Sequence, residues 1–154
     1  MEDVEGKDTR TLTVGPMTTS TAHKLLYYDG ACNNIHGHNM EWEGEITVTM
    51  EGSGMENMPV DFKHVSDLID RFDHALILNY DDPLMETHRK QDVSQPVEDS
   101  ELGPIYWTED DPTSEKVVEM VAQDIVSQVE PIIHIRLSLA ETSKYTVTTE
   151  VWDD

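Results

Sequence analysis

The stretch His36-Gly37-His38-Asn39-Met40-Glu41-Trp42-Glu43-Gly44-Glu45-Ile46-Thr47-Val48-Thr49-Met50 alternates with strict period two. Its even positions carry Met40, Trp42, Gly44, Ile46, Val48 and Met50, and its odd positions carry Glu41, Glu43, Glu45, Thr47 and Thr49. Successive side chains of a strand point to opposite faces, so this is a half-buried strand with one apolar and one polar face. His36 and His38 continue the even phase, fall on the inward face and can present two imidazoles to one ion. Core histidines satisfied by hydrogen bonds would fit the same phase, but the only cysteine, Cys32, lies four positions before His36 and favours a site. The natural third ligand is His23, thirteen residues before His36 and close enough to sit on a neighbouring strand. Three neutral imidazoles with an open position suit catalytic zinc, because a structural site normally closes with a fourth protein ligand.

Outward from this strand, residues 1–9 read as a frayed acidic start, and Thr11 to Val14 begins a first strand through Leu12 and Val14. The turn Glu51-Gly52-Ser53-Gly54 ends the second strand. Phe62, Val65, Leu68, Ile69 and Phe72 recur at helical spacing, predicting a helix from about Asp61 to Phe72 that delivers Asp73 and His74 at its C-terminal end. Residues 81–103 are polar and aperiodic and read as a solvated loop insertion. Ile105 to Trp107 makes a short strand, and Pro112-Thr113 starts a second helix with Val118, Val121, Ile125 and Val129 as its buried stripe. Strands Ile132 to Ala140 and Tyr145 to Trp152 follow; the odd phase of Ile133, Ile135, Leu137 and Leu139 turns Glu141 inward. An inward carboxylate is costly unless it is paired or used. The order strand, strand, helix, helix, strand, strand is α+β with an antiparallel sheet.

At 154 residues, the chain supports one domain with a single core. It carries 32 Asp and Glu against 10 Lys and Arg, a formal charge of -22. That field repels phosphate backbones and anionic lipid, which argues against nucleic-acid and membrane-surface partners. Regular apolar periodicity and three tryptophans indicate a folded core under an acidic coat. The absence of a membrane-length apolar run, of a basic and apolar leader and of a second cysteine leads to a cytoplasmic expectation.

Taken together, His23, Cys32, His36, His38, Val60-Asp61-Phe62, Asp73-His74, Pro112-Thr113-Ser114-Glu115 and Glu141-Thr142 resemble, in order, the 6-pyruvoyl- and 6-carboxy-tetrahydropterin synthase family. Three residues between the cysteine and His-Gly-His, here Asn33, Asn34 and Ile35, resemble the 6-carboxy branch; Cys32-Asn33-Asn34 itself resembles the pyruvoyl branch. The acidic coat resembles haloarchaeal proteins. The resemblance implies a tunnelling fold in which a four-stranded antiparallel sheet carries two helices on one face and subunits close their sheets into a barrel, typically a homohexamer.

What the resemblance implies for chemistry is a zinc enzyme that acts on 7,8-dihydroneopterin triphosphate, with loss of triphosphate and acetaldehyde, to give 6-carboxy-5,6,7,8-tetrahydropterin, a precursor of deazaguanine tRNA nucleosides such as queuosine and archaeosine. His23, His36 and His38 would hold zinc, Cys32 would be the proton-transfer base, and Asp73 and His74 would form a proton relay. Glu141, with Thr142 beside it, would anchor the pterin, and Thr113, Ser114 and Glu115 would be either secondary pterin contacts or helix caps. Lys24 and Lys144 are candidates for the triphosphate. Pyruvoyl-tetrahydropterin synthesis is the alternative within the enzyme class. A zinc- or pterin-binding module without catalysis is the alternative outside it, opposed by retention of Cys32, Asp73, His74, Glu141 and all three histidines together.

The charge balance gives a first testable expectation. The screening length is about 10 Å at 0.1 M salt and about 3 Å at 1 M, so self-repulsion fades with salt. The melting temperature should rise from dilute buffer to molar KCl, whereas equal values across that range would remove the halophilic reading.

Overall fold

A computed structural model describes residues 6–51 and 55–154. Most of the proposed frayed start and the Gly52-Ser53-Gly54 part of the proposed turn lie outside the described residues. The elements are β1 (Thr9–Lys24), β2 (His36–Thr49), α1 (Phe62–Asp70), β3 (Ala75–Asn79), β4 (Val97–Ser100), β5 (Gly103–Thr108), α2 (Ser114–Gln128), β6 (Ile132–Thr142) and β7 (Tyr145–Trp152).

The sheet has seven strands in the order β4-β5-β3-β1-β2-β6-β7, which corrects the four-stranded expectation. The expected antiparallel quartet is present as β1-β2-β6-β7. Beyond β1 the sheet continues through β3 and β5 in parallel pairings and ends in the short antiparallel β4. β3 escapes a periodicity reading because Ala75-Leu76-Ile77-Leu78-Asn79 is buried on both faces and therefore shows no alternation. Residues 81–103 are more ordered than a solvated loop: Pro83–His88 forms 3-10 turns, and Val97–Ser100 is β4. Val97 joins Leu76, Leu78, Ile105 and Trp107 in a second, smaller core.

The main core lies between the quartet and both helices. Met40, Trp42, Ile46 and Val48 of β2 are fully buried, as the even phase predicts, against Val65 and Ile69 of α1 and Val118, Val121 and Ile125 of α2. Phe62, expected on the packed face of α1, is instead 66% exposed at its first turn. Asp61 caps that helix by accepting from the Lys63 N–H, and Thr113 caps α2 by accepting from the Lys116 N–H.

β1 is far longer than Thr11 to Val14, and a bulge hides its continuity. The register runs Val14 opposite Gly44 and then Met17 opposite Trp42, so β1 spends one residue more than β2 across this step. The inward phase consequently changes from Leu12 and Val14 to Met17, Thr19, Thr21 and His23. Gly15 makes the step, with φ at 91°, where a side chain would be strained and a Cβ would collide with the Trp42 carbonyl oxygen.

Below the bulge, a buried chain of hydrogen bonds joins three elements. Trp42 Nε1–H donates to Thr19 Oγ1 (3.0 Å), Thr19 and Thr21 hydroxyls lie 2.9 Å apart, and Thr21 Oγ1–H donates to the Phe72 carbonyl (2.9 Å). Because indole only donates and a carbonyl only accepts, the direction runs from β2 through β1 to the end of α1. It fixes the segment that carries Asp73 and His74. Gly15→Ala should lower the denaturant midpoint, costing roughly 1–3 kcal/mol for the forced backbone conformation. An unchanged midpoint would show that the bulge tolerates a side chain.

Candidate metal centre and active site

The pairing of β1 with β2 brings the histidines together: His23 is opposite His36, and Thr21 is opposite His38. Ring centroids are 4.5 Å apart for His23–His36, 5.3 Å for His23–His38 and 5.1 Å for His36–His38. Ligand atoms of His23, His36, His38 and Glu141 all lie within 4.8 Å of one another. The first three are the ligands expected from sequence; the fourth group, a carboxylate, occupies ground that a three-histidine reading leaves open.

Main-chain acceptors orient two of the rings. His23 Nδ1 is 2.7 Å from the Pro112 carbonyl oxygen, and His36 Nδ1 is 2.7 Å from that of Asn34. Since a carbonyl only accepts, both Nδ1 atoms carry a proton, and in the neutral ring that leaves the lone pair on Nε2. His23 is almost completely buried, and burial holds it below the ordinary imidazole range, in the neutral form that ligates metal. Its Nε2 lies 3.0 Å from Glu141 Oε1, and His38 Nε2 lies 3.4 Å from the same oxygen, yet neither buried nitrogen has a hydrogen-bond partner. For His23 the reason is chemical: lone pair faces carboxylate, and two acceptors repel unless a cation lies between them. The donor set fits zinc, which takes imidazole nitrogen and carboxylate oxygen.

Cys32 lies in a 3-10 turn, Ala31–Asn33, and is partly exposed. It is not a member of the His/Glu cluster. Its carbonyl accepts from the Leu25 N–H at 2.8 Å, and Asn33 Nδ2 donates to the carbonyls of Leu25 and Leu26. Asp111 completes this clamp by accepting from the N–H groups of Leu26 and Tyr27 and from Asn79 Nδ2. Asp111 and the Pro112 carbonyl are supports that sequence reasoning missed. A main-chain acceptor leaves no residue signature, and Asp111 reads as one more acid in Glu109-Asp110-Asp111.

Asp73 and His74 are docked on β1 by reciprocal main-chain contacts. The Ser20 N–H donates to Asp73 Oδ1 (2.8 Å), and the His74 N–H donates to the Ser20 carbonyl (2.7 Å). The Ser20 N–H first, and the His74 ring second, hold the Asp73 carboxyl below the usual carboxylate range. Asp73 Oδ2 lies 3.0 Å from His74 Nδ1, which places the proton on Nδ1 and leaves Nε2 free. Ser20 and Thr21 separate this pair from His38 by two strand spacings, about 9–10 Å. A groove of about 510 Å³ is lined by His38 and His74 together with Ser20, Gly37, Asn39 and Leu102.

Of the remaining predicted residues, Thr113 is a helix cap, Ser114 is buried, Glu115 is exposed in the first turn of α2, and Thr142 accepts from the Lys144 N–H in the β6–β7 turn. Lys24 pairs at 2.7 Å with the buried Asp82, so its charge is engaged within the fold.

Residues 16–151 match the family model described as 6-pyruvoyl tetrahydropterin synthase. A Halobacterium salinarum protein named "Probable 6-carboxy-5,6,7,8-tetrahydropterin synthase" is 36% identical over 84 residues, covering 53% of this chain and 54% of that relative; the match thus spans about half of each. A Rickettsia conorii protein named 6-carboxy-5,6,7,8-tetrahydropterin synthase is 26% identical over 108 residues, 67% of this chain and 71% of the relative. Among solved structures, the 6-pyruvoyl tetrahydropterin synthase of Plasmodium falciparum superposes with a TM-score of 0.61 at 14% identity, covering 95% of this chain and 99% of that one. The Plasmodium vivax protein of the same name gives 0.60 at 14% identity with the same coverage. These structures share the tunnelling fold expected for this chain.

Metal analysis of the purified protein should find about one zinc per chain, and His36→Ala should abolish it, because a site of so few ligands rarely survives the loss of one. Zinc retained at full stoichiometry by His36→Ala would remove His36 from the centre.

Proposed function

The chain belongs to the 6-pyruvoyl tetrahydropterin synthase family, and on that premise we propose that it is a zinc-dependent enzyme converting 7,8-dihydroneopterin triphosphate to 6-carboxy-5,6,7,8-tetrahydropterin, with loss of triphosphate and acetaldehyde. The observation that carries this reading is the convergence of His23, His36 and His38, with two rings oriented by main-chain carbonyls, on one point. The names of the Halobacterium and Rickettsia relatives support the 6-carboxy product, as does the three-residue spacing after Cys32.

Bound to the three histidines, zinc would supply Lewis acidity toward the hydroxyl oxygens of the substrate side chain. Cys32, held by the Asn33 and Asp111 clamp, takes the role of proton-transfer base. His74 exchanges protons through its free Nε2 while Asp73 keeps the ring in one tautomer. The Glu141 carboxylate matches the paired N–H donors of the pterin's 2-amino-pyrimidinone edge, with Thr142 beside it. Thr113, Ser114 and Glu115 would be secondary pterin contacts at the start of α2, where Thr113 also caps the helix by accepting from the Lys116 N–H.

The reading includes self-association, as a homohexamer. β7 presents an outer edge without a strand partner among the described residues, a liability that pairing with another subunit would remove. His74, 81% exposed, is available to substrate or to a neighbouring subunit. A cytoplasmic, salt-adapted member of the deazaguanine pathway, without nucleic-acid or membrane partners, fits the charge of -22.

Turnover of dihydroneopterin triphosphate by the zinc-loaded protein, with product identification, tests this function. Acetaldehyde release is expected; a three-carbon pterin side chain without acetaldehyde would assign the pyruvoyl reaction instead. Cys32→Ala should reduce turnover by roughly two to four orders of magnitude, the usual scale for loss of a general base, with zinc content unchanged. Near-normal turnover, or loss of zinc, would remove Cys32 from proton transfer.

A further inference from the structure

The geometry points to Glu141 as an exchangeable fourth ligand that closes the metal centre at rest and leaves it when the pterin binds. This inference rests on the metal and pterin reading above. Ligand atoms about 2.0–2.1 Å from one tetrahedral zinc lie about 3.3–3.4 Å from each other. Glu141 Oε1 lies 3.0 Å from His23 Nε2 and 3.4 Å from His38 Nε2, the separations of ligands sharing an ion. A direct hydrogen bond from His23 is excluded by its tautomer, because its proton sits on Nδ1 facing the Pro112 carbonyl. Both of these imidazole nitrogens are buried without a partner, and a shared cation satisfies them and the carboxylate together.

The placement of Glu141 also allows it to leave. The β6–β7 register passes from Ala140 opposite Thr146 to Thr142 opposite Tyr145, so Glu141 sits in a bulge without a cross-strand partner. It is 29% exposed, against 2% for His23 and 21% for His38, so His23 is the most enclosed member of the centre and the carboxylate, at its strand-end bulge, the one placed to move. The oxygen that faces His23 and His38 is one of the two that the pterin's N–H pair would take, so metal and pterin compete for the same carboxylate. Pterin binding therefore draws Glu141 off the ion and opens the coordination position that the substrate oxygen needs. In the empty site the closed shell keeps that position from other donors.

Cobalt(II) substitution of the full chain reads this directly, because four-coordinate cobalt absorbs visible light far more strongly than higher-coordinate cobalt. The resting protein should show a strong four-coordinate spectrum. Glu141→Gln, which keeps the side-chain shape, should change that spectrum and weaken cobalt affinity by at least about 10-fold in competition with a chromophoric chelator. Adding an unreactive, fully oxidised pterin without triphosphate should shift the wild-type spectrum and leave that of Glu141→Gln in place. Equal affinity and equal spectra for the two proteins would overturn ligation by Glu141, and pterin binding without a spectral shift would overturn the exchange. Failure of the wild type to take up cobalt at all would instead overturn the underlying metal reading.

Discussion

A single extra residue in β1 decides where the histidines point. Leu12 and Val14 face the core on even positions, while Met17, Thr19, Thr21 and His23 face it on odd ones, and the change is made at the bulge that passes through Gly15. Side chains alternate with a period of two, so without that step His23 would fall on the opposite face from His36 and His38. The close approach of Gly15 to the Trp42 carbonyl ties the bulge to the strand that carries the other two histidines. Packing of Trp42 and convergence of the three histidines are thus two consequences of one register.

The centre is supported from several directions by groups that are themselves held. The Pro112 carbonyl sets the ring of His23, and Pro112 is fixed by the cap of α2 behind it and by Asp111 before it. Asp111 also holds Leu26 and Tyr27, in the segment 25–27 to which Cys32 and Asn33 are hydrogen-bonded, so the cysteine and His23 share one scaffold. On the same inward face of β1, the Trp42–Thr19–Thr21–Phe72 chain positions the residues leading to Asp73 and His74. Functional side chains placed this way need little reorganisation to meet a substrate.

Sequence periodicity revealed those parts of the fold with one face in the core and one in water. β2 shows this best: its buried Met40, Trp42, Ile46 and Val48 alternate with three glutamates, and extending the phase correctly turned His36, His38 and, on β6, Glu141 inward. β1 was legible only up to the bulge, because the inward residues beyond it are threonines and a histidine. β3 was invisible for the opposite reason, being apolar at Ala75 through Leu78 without alternation, and β4, Val97-Glu98-Asp99-Ser100, carries almost no strand signal. The seven-stranded sheet is hence the predicted quartet, the short strand expected at Ile105 to Trp107, and two further strands, β3 and β4, whose burial is uniform or minimal. At the site, sequence indicated which residues converge but not that Glu141 lies within reach of the histidine nitrogens, a fact that depends on the bulge at the end of β6.

The claim that organises all of this is that the three histidines hold one metal ion next to the pterin. Crystals of the zinc-loaded protein grown with an unreactive pterin, measured for anomalous scattering at the zinc absorption edge, test it at atomic level. The account predicts one strong peak about 2.0–2.1 Å from the Nε2 atoms of His23, His36 and His38, with the pterin's N–H edge on Glu141. A peak bound elsewhere on the chain, with no density between the three histidines, would contradict it.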